Sequence, residues 1–232
     1  MLGYYDQRPP DYEEAYTLGT GTASIQNPEI FKAEARILAG IVGRFAQGRV
    51  MDLACGTAFW LPEYARNCSQ ITLFDQSDRM LMEARAKVNQ LGLADRCAYV
   101  RSDFFDAAFE RDAYDTALVG FFLSHLTEAD EPVLFDALRT MLGTSGRFLI
   151  LDSAWSPERA MANRKIEQQP RRLNDGTPFE IYKRYCDRDD IARWAAAYGV
   201  ALQIEHFGAA FYGVSETFLP TRLPAHQPTC LQ

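Results

Sequence analysis

Between Arg49 and Ser153 the chain alternates short apolar runs with helical patterns, and this alternation constrains the fold more than any other feature. The runs are RVMDLA (49–54), QITLFD (70–75), CAYVRSD (97–103), YDTALVGFF (114–122) and GRFLILDS (146–153). Helical stretches lie between them near 58–66, 77–92 and 128–142. Strands that alternate with helices predict parallel βαβ units. The runs are apolar on both faces, as expected when helices cover both sides of a sheet. Upstream, NPEIFKAEARILAGIVGRFAQG (27–48) reads as a helix, with Asn27 as N-cap, Pro28 at the first helical position and Gly48 past its end.

After Asp152 the rhythm changes. SPERAMANRKIEQQP (156–170) is predicted helical. RRLNDGTPFEIYKRYC (171–186) carries Asp175-Gly176, a hairpin-turn signal between two strands. A helix near 187–198 is expected to end at Gly199, and VALQIEHFGAAFYGVSETF (200–218) to return as an antiparallel strand pair. The expectation is a doubly wound, Rossmann-like α/β sheet of about seven strands, helices on both faces, with an antiparallel C-terminal strand. No linker breaks residues 1–232, so one domain is expected, with 153–186 as a cap or hairpin insertion and a frayed, Pro-rich tail from Pro220.

With 24 basic and 31 acidic residues the net charge is −7, which argues against nucleic acid or an anionic membrane surface as the main partner. The five cysteines are scattered, without a C-x-x-C pair; this fits a reducing cytoplasm better than a disulfide scaffold or a zinc site. No metal is expected. The N-terminus lacks the apolar core of a signal peptide, and no run approaches the ~18–20 apolar residues of a membrane span.

In a doubly wound sheet, ligands bind beyond the carboxyl ends of the strands, near the switch point. The first such turn is VMDLACGTAFW (50–60); the second strand ends at Asp75 in LFDQSDRM, the third leads into RSDFF, and the fourth into GFFLSHL. A dinucleotide turn needs G-x-G-x-x-G so that a helix N-terminus can receive pyrophosphate. Here the string is G-T-A-F-W-L, with Phe59 and Trp60 filling the helix start, which disfavours NAD.

Over residues 48–152 these four segments, in order and spacing, resemble the motifs of the class I S-adenosylmethionine (SAM)-dependent methyltransferases of small-molecule type. YYDQRPPDYEEAY (4–16) resembles the tyrosine-rich segment that covers the cofactor in such enzymes, so residues 1–26 are expected to form a lid that includes Tyr5 and Tyr12. Helix-face packing is the alternative account of that tyrosine cluster. One departure is Ala58, where the family usually has glycine; a slightly tighter turn is expected.

The resemblance implies SAM as cofactor and a role for each matching residue. Asp52 would organise the turn and hold the methionine amino group, directly or through water. Ala54 and Gly56 would pass their backbone along the cofactor. Asp75 would take the ribose hydroxyls, with Gln76 and Met80 beside the adenine. Asp103 would bond the adenine amino group, Phe104 would pack or donate its backbone N–H, and the backbone near Phe121 would face the methionine end.

The expected activity is methyl transfer to a small molecule by in-line attack on the sulfonium methyl, in the cytoplasm, by a monomer or homodimer. Two alternatives are a SAM cyclase or lyase that closes an azetidine ring and releases methylthioadenosine, and a non-catalytic SAM-binding module. His125, after the fourth strand, is placed to act as a base, and Tyr182, on the hairpin, to offer a ring and a hydroxyl to the acceptor; each has a structural alternative. Arg171, Arg172, Lys183 and Arg184 form either a solvated face or a carboxylate holder. Cys55 is read as a packing residue.

Overall fold

The structure is a computed structural model and describes residues 2–13, 25–159 and 164–217. Residues 1 and 14–24 of the expected lid, Tyr16 among them, residues 160–163 of the expected helix, and the tail from Pro220 lie outside the described residues.

The chain opens with α1 (Leu2–Gln7) and α2 (Pro9–Tyr12), followed by α3 (Pro28–Phe45). Asn27 caps α3, its side chain accepting from the Glu29 N–H at 3.0 Å, with Pro28 at the first helical position. Next come β1 (Gly48–Leu53), α4 (Leu61–Tyr64), β2 (Cys68–Asp75), α5 (Asp78–Gln90), β3 (Cys97–Arg101), β4 (Thr116–Gly120), α6 (Glu131–Leu142) and β5 (Arg147–Ser153). Ser77 caps α5 through the Met80 N–H. The last part holds β6 (Ile166–Arg172), β7 (Pro178–Arg184), α7 (Arg188–Tyr198), β8 (Gln203–Phe207) and β9 (Phe211–Thr217). Asp187 and Asp190 close a capping box on α7, and Gly199 ends that helix in the left-handed conformation, φ 62°.

Among the described residues, seven strands form one sheet in the order β3-β2-β1-β4-β5-β9-β8. The pairs from β3 to β5 are parallel, while β9 runs antiparallel to β5 and to β8. The order reverses between β1 and β4, so a crevice opens there beyond the carboxyl ends of the strands. β1 and β5 are almost wholly buried because each face meets helices. One core packs Phe31, Leu38 and Ile41 of α3 with Leu81 and Ala84 of α5; the other packs Leu134, Phe135 and Leu138 of α6 with Ile191 and Trp194 of α7. No described helix is long and apolar enough to cross a membrane.

One element differs from its sequence reading. Residues 166–170 are strand β6, paired antiparallel with β7 in a separate two-stranded sheet, and do not continue a helix. Pro170, which donates no backbone hydrogen bond, is tolerated because β6 has β7 on one side only. The predicted turn at Asp175-Gly176 joins the two strands; Gly176 has φ 88°, and Asp175 accepts from the Thr177 N–H at 2.8 Å.

Candidate active site

Beyond the ends of β1, β2, β3 and β4 lies a cavity of about 410 Å³. The turn after β1 builds one wall. Ala54, Gly56 and Ala58 all adopt positive φ, at 56°, 55° and 54°. This conformation costs a residue with a Cβ about 1–2 kcal/mol, and only glycine adopts it freely. It turns the backbone toward the cavity, and a Cβ on Gly56 would sit 3.4 Å from the ring of Tyr12. Phe121, after β4, is also left-handed (φ 56°), and its N–H donates to the Leu151 carbonyl at 2.8 Å. A bulky residue in this region is strained, and such strain concentrates at functional sites.

Asp75 closes β2. Its carboxylate accepts from the Gly56 N–H (2.9 Å) and the Ser77 N–H (2.8 Å), which locks the first two turns together. Burial raises its carboxyl above the usual range, against the pull of the Ser77, Gly56 and Gln76 N–H groups. Asp103, after β3, caps its own turn through the Phe105 N–H at 3.0 Å. Both acids line the cavity, together with Gln76, Met80, Phe104 and Phe105.

The N-terminal helices cover this cavity. Tyr5 and Tyr12 line it, and the Arg8 guanidinium lies 5.2–5.9 Å from the rings of Tyr4, Tyr5 and Tyr12. Asp6 accepts from the Ser77 hydroxyl and Glu13 from the Thr57 hydroxyl, each at 2.8 Å. Two carboxylates thus fasten the segment to the turns after β2 and β1.

Two sequence expectations need correction. Asp52 does not line the cavity. Its side chain is buried and accepts from the Tyr64 hydroxyl at 2.8 Å, on the side of α4. Burial pushes its carboxyl up to about 7, with the Tyr64 bond opposing. The phenol of Tyr182 is likewise absent from the cavity walls. Residues alternate faces along β7, so Ile181 and Lys183 face the site and Tyr182 faces away. Tyr182 acts through its backbone carbonyl, which lies 2.9 Å from Nδ1 of His125. Cys55 is buried, and its thiol is pushed well above the ordinary value by burial and by Asp52 and Asp75.

His125 sits in the short turn Leu123–His125. Its Nε2 is 2.6 Å from the Tyr5 hydroxyl. The Tyr182 carbonyl can only accept, so Nδ1 carries the proton and Nε2 accepts from Tyr5. Burial, then Lys183, with Arg171 and Arg8 adding, hold the imidazole well below its usual pKa, so it is neutral at pH 7.

A model of the methyltransferase domain matches residues 50–146. Over these residues the chain is similar to class I SAM-dependent methyltransferases. Two curated relatives are similar to it in sequence. One is the 2-phytyl-1,4-naphtoquinone methyltransferase of Synechococcus elongatus, 33% identical over 107 residues, which cover 45% of this chain and 45% of that protein. The other is the ubiquinone/menaquinone biosynthesis C-methyltransferase UbiE of Pasteurella multocida, 30% identical over 110 residues, 45% of this chain and 39% of that one. The chain thus matches less than half the length of these relatives.

Among solved structures, DhpI in complex with SAH superposes with a TM-score of 0.73 at 20% identity, over 94% of this chain and 95% of that one. The glycopeptide N-methyltransferase MtfA gives 0.60 at 19%, over 81% and 90%. These likenesses extend the methyltransferase fold to the C-terminal strands. The cavity suits SAM: its volume is that of a small-molecule site, and aromatic rings and two carboxylates meet at the strand ends. The glycine left bare at position 56 keeps a close-approach surface open.

Sequence reasoning missed Phe74, Ser102, Phe105, Gly120 and Phe122 in this cavity. It also missed Asp6 and Glu13 as fasteners. Acids among tyrosines were a signal, since a segment that closes over strand-end turns needs acceptors for their hydroxyls.

Proposed function

We propose that this chain transfers the SAM methyl group to a nucleophilic atom of a small molecule. The observation that carries the reading is the strand-end cavity, where Asp75 and Asp103 meet Gly56 and Phe121 beneath Tyr5 and Tyr12. Bound SAM supplies an activated methyl on a sulfonium, so the protein needs chiefly to align the acceptor and exclude water.

Asp75 takes the ribose hydroxyls with the carboxylate lone pairs left over from Gly56 and Ser77. Asp103, Phe104, Gln76 and Met80 enclose the adenine. Ala54, Gly56 and Phe121 offer their backbone to the methionine part. Asp52 acts at one remove, by holding α4 against the turn through Tyr64. Tyr5 and Tyr12 seal the cavity as a lid (residues 1–26), and the hairpin of 153–186 builds the acceptor side of a single domain.

His125 is a positioning residue in this scheme. With its Nε2 as acceptor, it holds the Tyr5 proton and leaves the oxygen lone pairs of Tyr5 for the acceptor. The experiment is incubation of the purified protein with SAM, with and without a panel of small acceptors, and identification of products. SAH formed only with an acceptor supports methyl transfer. Methylthioadenosine from SAM alone overturns it in favour of ring closure, and the absence of both products marks a binding module.

A further inference from the structure

The hairpin turns a row of buried polar side chains toward the site. Register pairs Gln169 with Ile181 and Arg171 with Phe179, so Gln169, Arg171, Ile181 and Lys183 share one face. A second cavity of about 40 Å³ lies under this face and shares Tyr5, Tyr12, Phe121 and His125 with the larger one. Arg171 and Lys183 line it and are 7% and 8% exposed. Long cationic side chains are rarely so buried without a carboxylate partner.

Their partners here are incomplete. Arg171 donates to the side chain of Gln169 and to the Pro170 carbonyl, both neutral, and no described carboxylate pairs with it. Lys183 donates to the Ser124 hydroxyl at 2.6 Å. Its carboxylate neighbour, Asp152, stands off at 3.6 Å and already accepts from the Ser124 and Ser153 N–H groups. Arg159, itself buried, adds to the positive field felt by Lys183. A bound sulfonium would add a further positive charge next door.

We infer that the acceptor substrate is a small anion, whose carboxylate or phosph(on)ate head lies in this second cavity between Arg171 and Lys183. The inference rests on the methyl-transfer reading for the word acceptor; the anion site itself does not. A guanidinium offers a planar fork that matches either oxyanion, and an ammonium offers a point charge beside it. The cavity admits a headgroup of a few atoms and no ring system. The rest of the acceptor would extend past His125 and Phe121 toward the larger cavity. The anion has a second effect. Lys183 and Arg171 are among the groups that depress the basicity of His125, so charge neutralisation makes that imidazole a better proton acceptor while the substrate is in place.

The test is calorimetry on the full chain saturated with SAH. Acetate and methylphosphonate are titrated in turn, with acetamide as the neutral control. Probes of this size are expected to bind in about the millimolar range. Heat from acetate alone assigns a carboxylate head, and from methylphosphonate alone a tetrahedral one. Arg171→Gln is expected to weaken the anion at least tenfold, with Arg171→Lys recovering part of the loss and SAH affinity within twofold of wild type in both. Circular dichroism checks that each variant is folded, and Lys183→Met gives an independent second variant. Two results overturn the inference: no anion binding above the acetamide control, or a fall in SAH affinity that matches the fall for the anion. Anion binding here, together with no methylated product from any acceptor in the incubations with SAM, would leave the site standing and remove the methyl-transfer reading.

Discussion

The hydroxyl of Tyr5 lies 2.6 Å from Nε2 of His125, although 120 residues separate them in the chain. This bond joins the N-terminal cover to the turn after β4, and through the Tyr182 carbonyl to the hairpin. Tyr5→Phe keeps the ring and removes the bond. Turnover is expected to fall at least tenfold, about 1.4 kcal/mol, with SAM affinity nearly unchanged. Wild-type rates in this variant would show that the pair only packs.

Asp75→Ala removes the clamp on Gly56 and Ser77 and, with it, the proposed acceptor for the ribose hydroxyls. SAM binding is expected to weaken by about 1–3 kcal/mol, the range for hydrogen bonds to a charged group. Calorimetry on a folded variant with undiminished affinity would remove Asp75 from the ribose site.

Lys183 offers a pH signature. Burial pulls its pKa down to about 8, with Asp152 opposing and Arg171 and Arg159 adding to the fall. The groups around it are Asp152, Ser124, Arg171, Arg159, Cys186, His125 and the ring of Tyr185. Lys183 is charged below about 8 and neutral above. Anion affinity in the wild type should therefore drop as pH rises through 8, and Lys183→Arg should flatten that profile. A wild-type profile that is level from pH 7 to about 9 would contradict the assignment.

Glu34 provides an acid-linked contribution to stability. Its carboxylate accepts from the N–H groups of Ala209, Ala210 and Phe211 at 2.8–3.1 Å and lies 3.3 Å from His206. Burial acts to raise its pKa, but the His206 contact and the three N–H groups prevail, so it is held below the usual value. A lowered folded pKa gives stability that is full above the unfolded value and lost as pH falls through the folded one. Glu34→Gln should cost about 2 kcal/mol at pH 7, and the difference from wild type should shrink below about pH 4. Denaturant melts across that range check the sign.

Ala58 tests the strain of the first turn. Its left-handed backbone costs about 1–2 kcal/mol relative to glycine, while its buried methyl contributes about 0.8 kcal/mol of packing. The greater unfolded-chain freedom of glycine offsets the remainder. Ala58→Gly is thus expected to change the melting temperature little, whereas Ala58→Val, branched and buried at positive φ, should destabilise strongly. A large gain from glycine would mean that the methyl is poorly packed.

The cofactor half of the site was legible because its residues follow strand ends, where one local turn sets both fold and ligand approach. Asp75, Asp103 and Gly56 line the strand-end cavity; Asp52 lies within β1, and its carboxylate is taken up by the Tyr64 hydroxyl. The acceptor half was less legible. Arg171 and Lys183 are 12 positions apart, and only the register about Asp175-Gly176 brings them to one face. That turn is legible in the sequence, but Ile166–Pro170 read as helix, which hides the parity that sets the face of Tyr182. Two-residue alternation in Glu167, Gln169 and Arg171 was the available signal, hidden by polar composition and by Pro170.

The hairpin β6–β7 belongs to a sheet of its own, and its inward side chains line the second cavity without taking part in the main sheet's ladder. Selection can therefore retool the enzyme at a few alternate positions of one ribbon, while the machinery that holds the alkyl donor is inherited intact. Exchange of Arg171 and Lys183 for neutral or acidic residues would re-address the same scaffold to a different clientele. For protein engineering, libraries confined to the odd-numbered residues 167–171 and 179–183 form a compact search of the proposed acceptor side.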